Sequence, residues 1–164
     1  LFDNLILLQG DEPQINPKVI DKLVDKISQS EYDVINLIHP IENEDITDTN
    51  IVKAILNNNQ EIINFTRTAI SIHGKSGYRQ LGMIGFKAKG IETFSQLKPS
   101  KHEIIESIDM MRFLDNDLKI NSLLTQEAVI GVDEEHQIEE VEKKMKNDIF
   151  FDRYLPLYEK SLNN

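Results

Sequence analysis

The stretch Leu5-Ile6-Leu7-Leu8-Gln9-Gly10-Asp11-Glu12-Pro13 decides the reading of this chain. Four apolar residues run directly into a polar turn containing Gly and Pro. A short apolar run bounded in this way predicts a buried strand rather than a helix. A strand covered on both faces is the hallmark of an open α/β sheet. Asp11 then falls just past the carboxyl end of the strand, where such sheets bind their ligands. With Gly10 allowing close backbone approach, Asp11 is a candidate to hold Mg²⁺ against a phosphate. The plainer reading, that Asp11 only ends a strand and opens a turn, stands beside it.

Composition narrows the class. The chain has 164 residues, 40% hydrophobic and 28% charged, and a net charge of −10. Its longest basic run outside scattered cations is Lys143-Lys144, which argues against nucleic acid as a partner. There is no cysteine, hence no disulfide frame, thiol nucleophile or cysteine zinc site. No apolar run approaches the roughly 20 residues that a membrane span requires. The expected compartment is the cytoplasm. The chain opens at Leu1 a few residues before a core strand, so it is expected to be the C-terminal portion of a longer polypeptide.

Beyond the opening strand, Asn16-Pro17 pairs a good N-cap with a good first helical residue. Val19, Ile20, Leu23, Val24 and Ile27 continue at helical spacing to about Ser28. Tyr32 to Ile38 is the next strand, and the strand–helix–strand order predicts a parallel pair. Residues 39–50 form an acidic loop. Two β-prone runs, 51–56 and 61–65, flank Asn57-Asn58-Asn59-Gln60 and predict a β-hairpin. Residues 66–77 form a locally basic loop with Arg67, His73 and Lys75. Residues 81–88 read as a strand whose glycines, Gly82 and Gly85, mark close approach of a ligand or another segment.

Ile91 to Leu97 predicts a short helix. Ser100 and Glu103 form a capping box that starts another. Counting from that box places Ile104, Ile105, Ile108, Met111 and Leu114 on a buried face. Glu103, Glu106 and Met110 fall on the opposite one, which is either a solvated acidic face or part of a site. A strand over 119–124 follows. The run Ala128 to Asp133 then delivers a second carboxylate, Asp133, which also suits an N-cap. Ile138, Val141 and Met145 mark a further helix. The segment from Ile149 to Tyr158 predicts an amphipathic helix packed through its aromatic residues. The four histidines show no ligand spacing and read as surface or loop residues.

Taken in order, these segments resemble the 3-deoxy-manno-octulosonate cytidylyltransferases. The family's QGDEP stands at Gln9 to Pro13, its N-x-V-K at Asn50 to Lys53, and its F-S-R at Phe65-Thr66-Arg67. Its H-x-G-I-Y strand corresponds to Gln80 to Ile84. Its P-S-P-L-E-x-I-E helix is similar to Pro99 through Glu106, and its G-V-D to Gly131-Val132-Asp133. The resemblance implies a three-layer, nucleotide-diphospho-sugar transferase-like (Rossmann-like) mixed α/β sheet with an inserted hairpin, lacking its N-terminal part. It treats residues 1–164 as a single domain, with 49–88 at a homodimer contact and 147–164 as a helical extension. It also implies an enzyme that joins CTP to a 2-keto-3-deoxy sugar acid and releases pyrophosphate. Asp11 and Asp133 would hold Mg²⁺, Arg67 would pair with the sugar carboxylate, and Gln9, Glu106, Gln80 and Met110 would line the sugar site.

This chain departs from the family pattern in the sugar-acid half. The family His is Gln80, its Tyr is Ile84, its helix Gln is Met110, and Thr68 to Ser71 replace its prolines and Trp. Those departures point to a related acid, such as a nonulosonate or a modified octulosonate, or to weak or absent activity. The 164 residues alone are expected to be inactive. A non-catalytic dimerisation domain derived from such an enzyme is the alternative from another class.

Overall fold

The computed structural model describes residues 2–41, 44–70, 77–127, 131–132, 135–150, 153–156 and 160. They fall into two compact units, one of residues 1–9 and 16–128, the other of residues 10–15 and 129–164. The first unit carries the sheet. Its strands are β1 (Asn4–Leu8), β2 (Val34–Pro40), β3 (Lys53–Leu56), β4 (Glu61–Thr66), β5 (Tyr78–Lys87) and β6 (Ile120–Leu124). Between them come helices α1 (Pro17–Gln29), α2 (Ala88–Gln96), α3 (Lys101–Glu106) and α4 (Met111–Leu114). The second unit contains α5 (Glu135–Met145).

The strands are ordered β1-β5-β2-β6-β4-β3. β5 runs antiparallel to both β1 and β2, and β6 runs parallel to β2. β1 and β2 therefore point the same way, as the strand–helix–strand order predicts, but they are not neighbours, because β5 lies between them. This corrects the expected adjacent pair. β1 also departs from a strand buried on both faces. Its hydrogen-bonded neighbour among the described residues is β5, and Leu7 and Leu8 are 41% and 42% exposed.

The hairpin forms where the Asn-rich connection predicts it. β3 and β4 pair from Lys53↔Thr66 to Leu56↔Ile62. The Asn57 side chain accepts from the amides of Asn59 and Glu61, and Gln60 takes a left-handed conformation at φ 62°. An asparagine side chain that folds back on the backbone in this way organises the turn.

Strand alternation sorts the two faces. A Cβ at Gly85 would lie 3.3–3.4 Å from Leu23 and Ile27, so that face meets α1. Asn16 accepts from the Lys18 amide at the start of α1, and Val19, Leu23 and Ile27 are fully covered. The opposite face carries Val34, Ile38, Ile84 and Phe86, packed with Phe113, Met110 and Ile108. Phe113 stacks with Phe94 of α2 at 5.5 Å between ring centres.

The long helix expected after Ser100 is two helices. The capping box forms, but α3 ends at Ser107, which is left-handed at φ 55° and ψ 49°. The chain restarts at α4. Counting helical periods across that break places Ile108 and Met111 correctly in the core but misplaces Ile104, Ile105, Glu103 and Met110. Ile104 and Ile105 are 70% and 75% exposed, whereas Met110 is 3% exposed within the core. Glu103 is buried too, gripped by Arg112. In the C-terminal segment, Tyr154 is 52% and Leu155 37% exposed, so these described residues of the aromatic segment are not core.

Candidate functional site

Three amide side chains lie on one face of the sheet in the first unit. Gln9 continues β1 by donating its backbone N–H to Gly82 O at 3.0 Å. Its side chain lies across Gly82: a Cβ there would come within 2.3 Å of Gln9 Oε1 and 2.8 Å of its Cβ. Gly82 is thus a glycine because Gln9 occupies the space of its side chain. Gln80 stands two residues along β5, and so on the same face. Asn36 of β2, 0% exposed, pairs in register with Ile84 and shares that face. Asn36 Nδ2 donates to Leu37 O at 2.9 Å and Leu81 O at 3.1 Å, and Gln80 Nε2 donates to Asn36 Oδ1 at 2.7 Å.

A second cluster joins β4 to the end of α3. The Glu106 carboxylate accepts from the Arg67 backbone amide at 2.9 Å and from Thr66 Oγ1 at 3.3 Å. Arg67 reaches back over the helix terminus. Its Nε donates to Glu106 O at 3.0 Å, Nη1 to Thr49 O and Asn50 O at 3.1 and 2.9 Å, and Nη2 to Ser107 O at 3.4 Å. Of its five N–H donors one remains, so no parallel pair is left for the fork that grips a carboxylate. In this arrangement Arg67 caps α3 and ties that helix to the 49–50 loop. Met110 is 3% exposed and packs in the apolar cluster.

Beneath Arg67 lies Lys53, 0% exposed, whose ammonium donates to Asp48 O and to Arg67 O, the latter at 3.0 Å. Burial lowers the Lys53 pKa, and the nearby Asp48 and Asp45 carboxylates partly offset that. No sequence motif marks Asn36, Lys53 or Thr66 as a site residue. The available signal was one polar residue inside each of the apolar runs Val34–Ile38 and Ile51–Leu56.

In the second unit, Asp11 is exposed, and its backbone carbonyl accepts from the Val132 N–H at 2.8 Å. Asp133, the next residue in the chain, and His73 lie outside the described residues. His39 is not a loop residue: it is 8% exposed within β2, with Nδ1 2.6 Å from Pro40 O. Because a carbonyl only accepts, that ring nitrogen carries the hydrogen.

The class follows from the fold. This mixed α/β sheet superposes on a solved CMP:2-keto-3-deoxy-manno-octonic acid synthetase complexed with CTP, with a TM-score of 0.80 and 26% identity. The match covers 88% of this chain and 62% of that one. A putative glucose-1-phosphate thymidylyltransferase from Bacillus anthracis, 15% identical with a TM-score of 0.59, shares the fold alone. The chain belongs to the cytidylyltransferase family, whose profile matches residues 3–130.

Among curated relatives, a 3-deoxy-manno-octulosonate cytidylyltransferase of Fusobacterium nucleatum is 31% identical over 153 residues. That alignment takes in 90% of this chain and 62% of the relative. The enzyme of the same name from Parabacteroides distasonis is 28% identical, over 84% of this chain and 61% of its own length. The chain thus spans less than two thirds of the relatives it matches.

Proposed function

We propose that this chain forms the sugar-acid half of a cytidylyltransferase that transfers CMP from CTP to a 2-keto-3-deoxy sugar acid with release of pyrophosphate. The observation that carries this is Gln9 laid across Gly82 beside Gln80, at the carboxyl end of β1. Ligands of open α/β sheets lie past the carboxyl ends of strands, and amides packed there are suited to reading hydroxyls. Glu106, held by Thr66 and the Arg67 amide, keeps acceptor capacity for another hydroxyl, because a carboxylate has about four lone-pair sites. Arg67 acts as a positioning residue for Glu106.

Asp11 and Asp133 would hold Mg²⁺. The donor set fits that ion: two carboxylates, with the remaining positions left to phosphate and water. The Val132–Asp11 backbone bond supports the pairing, because it holds residue 11 to the residue that precedes Asp133. Once bound, the ion neutralises charge on the reacting phosphate. The divergent Gln80 and Ile84 favour an acid related to the ordinary octulosonate rather than that acid itself. We place the enzyme in the cytoplasm, consistent with the absence of any long apolar helix among the described residues.

The test is pyrophosphate release from CTP with a panel of 2-keto-3-deoxy sugar acids. It is run with the 164 residues and with a polypeptide extended to the relatives' length. Activity is expected only in the longer polypeptide, and Asp11→Asn lowers kcat/KM there about a hundredfold or more. Activity unaffected by Asp11→Asn would remove the metal assignment. A second reading, a non-catalytic association domain, is favoured by Ile63 of the hairpin, 55% exposed, and by the exposed Ile104 and Ile105. It predicts homodimers without Mg²⁺-dependent CTP binding by the longer polypeptide; the enzyme reading predicts that binding, with a dimer contact through 49–88.

A further inference from the structure

Asparagine and glutamine present either an oxygen or an NH₂ to a neighbour, and the surrounding bonds decide which. At Asn36 that decision is forced. Two backbone carbonyls, Leu37 O and Leu81 O, face one end of its amide, and carbonyls only accept. That end must be Nδ2, and both of its hydrogens are committed. The other end is therefore Oδ1, which requires a donor. Gln80 lies 2.7 Å away and meets that requirement with Nε2. Its oxygen lies on the far side of the amide carbon. Asn36 is 0% exposed in mid-sheet, where leaving any of these groups unpaired is costly, so the polarity does not reverse.

We infer that Asn36 is a positioning residue: it sets the polarity of Gln80, so that the edge offered beside Gln9 carries the amide oxygen and takes a hydroxyl of the ligand rather than its carboxylate. A hydroxyl satisfies that edge whichever Nε2 hydrogen is committed to Asn36, because it both donates and accepts. An ionised carboxylate would bring a second acceptor against the oxygen. The hydroxyl assignment rests on the sugar-acid reading above; the polarity of the pair does not.

Two measurements test this separately. In the ¹⁵N,¹³C-labelled chain, a scalar coupling across the hydrogen bond is expected from Gln80 Nε2 to Asn36 Cγ. Its absence, or the reverse coupling from Asn36 Nδ2 to Gln80 Cδ, overturns the positioning role. In the polypeptide of the relatives' length, Gln80→Met is expected to raise KM for the sugar acid about tenfold, more than it lowers kcat. Asn36→Leu is expected to raise it about threefold, and to add nothing when Gln80 is already Met. An equal effect of Asn36→Leu in both backgrounds marks a merely structural residue and overturns the proposal. Absence of transfer to every sugar acid by the parent polypeptide overturns the hydroxyl assignment together with the sugar-acid reading, while the coupling still decides the role of Asn36.

Discussion

Glu61 shows how much a single side chain contributes here. Its carboxylate accepts from Lys119 at 2.7 Å, Asn57 at 2.6 Å and Tyr32 at 3.0 Å. These bonds, led by that from Lys119, lower its pKa to about 2. A carboxylate whose folded-state pKa is depressed adds stability above its unfolded value, near 4.5, and loses it as pH falls through about 2. Glu61→Gln should therefore melt below the parent at pH 7, and the gap should close between about pH 4.5 and 2. Thermal melts across that range check it, and a pH-independent gap would refute it. Gly82 makes the opposite point, that a missing side chain can define a site. Gly82→Ala sets a Cβ within 2.9 Å of three Gln9 atoms. The expected result is a folded protein with a displaced Gln9 amide resonance and, where transfer is assayed, a raised KM for the sugar acid.

Among the elements, the break between α3 and α4 governs the apolar face. The break is held from both sides. Arg67 caps the end of α3, and Arg112 of α4 forms a two-pronged pair with Glu103, at 2.8 Å from Nε to Oε2. Arg112 also lies 4.2 Å over the Phe94 ring of α2. The pair lowers the Glu103 pKa and raises that of Arg112. Removing one partner of a largely buried pair leaves the other charge uncompensated. Arg112→Met should cost about 3 kcal/mol in denaturant unfolding, and Arg112→Lys should recover only part of that, because an ammonium lacks the planar fork. Full rescue by Lys would mean that charge alone is at work. Helix α2 has a different constraint. A Cβ at Gly90 would lie 2.6 Å from Asp33 O, a backbone atom that cannot swing aside. Gly90→Ala should destabilise by about 1–3 kcal/mol, against the usual gain from alanine in a helix.

For the sheet as a whole, the controlling feature is the place of β5. This ten-residue strand separates β1 from β2 and carries Gln80, Gly82 and Gly85, so a single strand meets α1 on one face and the amides on the other. β1 is left with one partner among the described residues and an exposed Leu8. Exposed apolar edge strands recruit other strands, and a lysine blunts them. Leu8→Lys should lower concentration-dependent association in light scattering while shifting stability by less than about 0.5 kcal/mol. Unchanged association would place the contact elsewhere.

The sequence by itself determined what depends on neighbours along the chain. The Asn16-Pro17 start of α1, the Asn57 turn, the Ser100–Glu103 box and the close approach at Gly82 were all legible, because each is local chemistry of a few residues. The ordered motifs also carried the family, since motif order survives in the linear chain. Tertiary structure alone decided that β5 inserts between β1 and β2, that Ser107 turns left-handed and sends Met110 inward, and that Arg67 is committed to backbone carbonyls. It also decided that Asn36 orients Gln80. These outcomes turn on which groups meet far along the chain, as Arg67 meets Glu106 across 39 positions and Asn36 meets Gln80 across 44, and such pairings leave no periodicity to read.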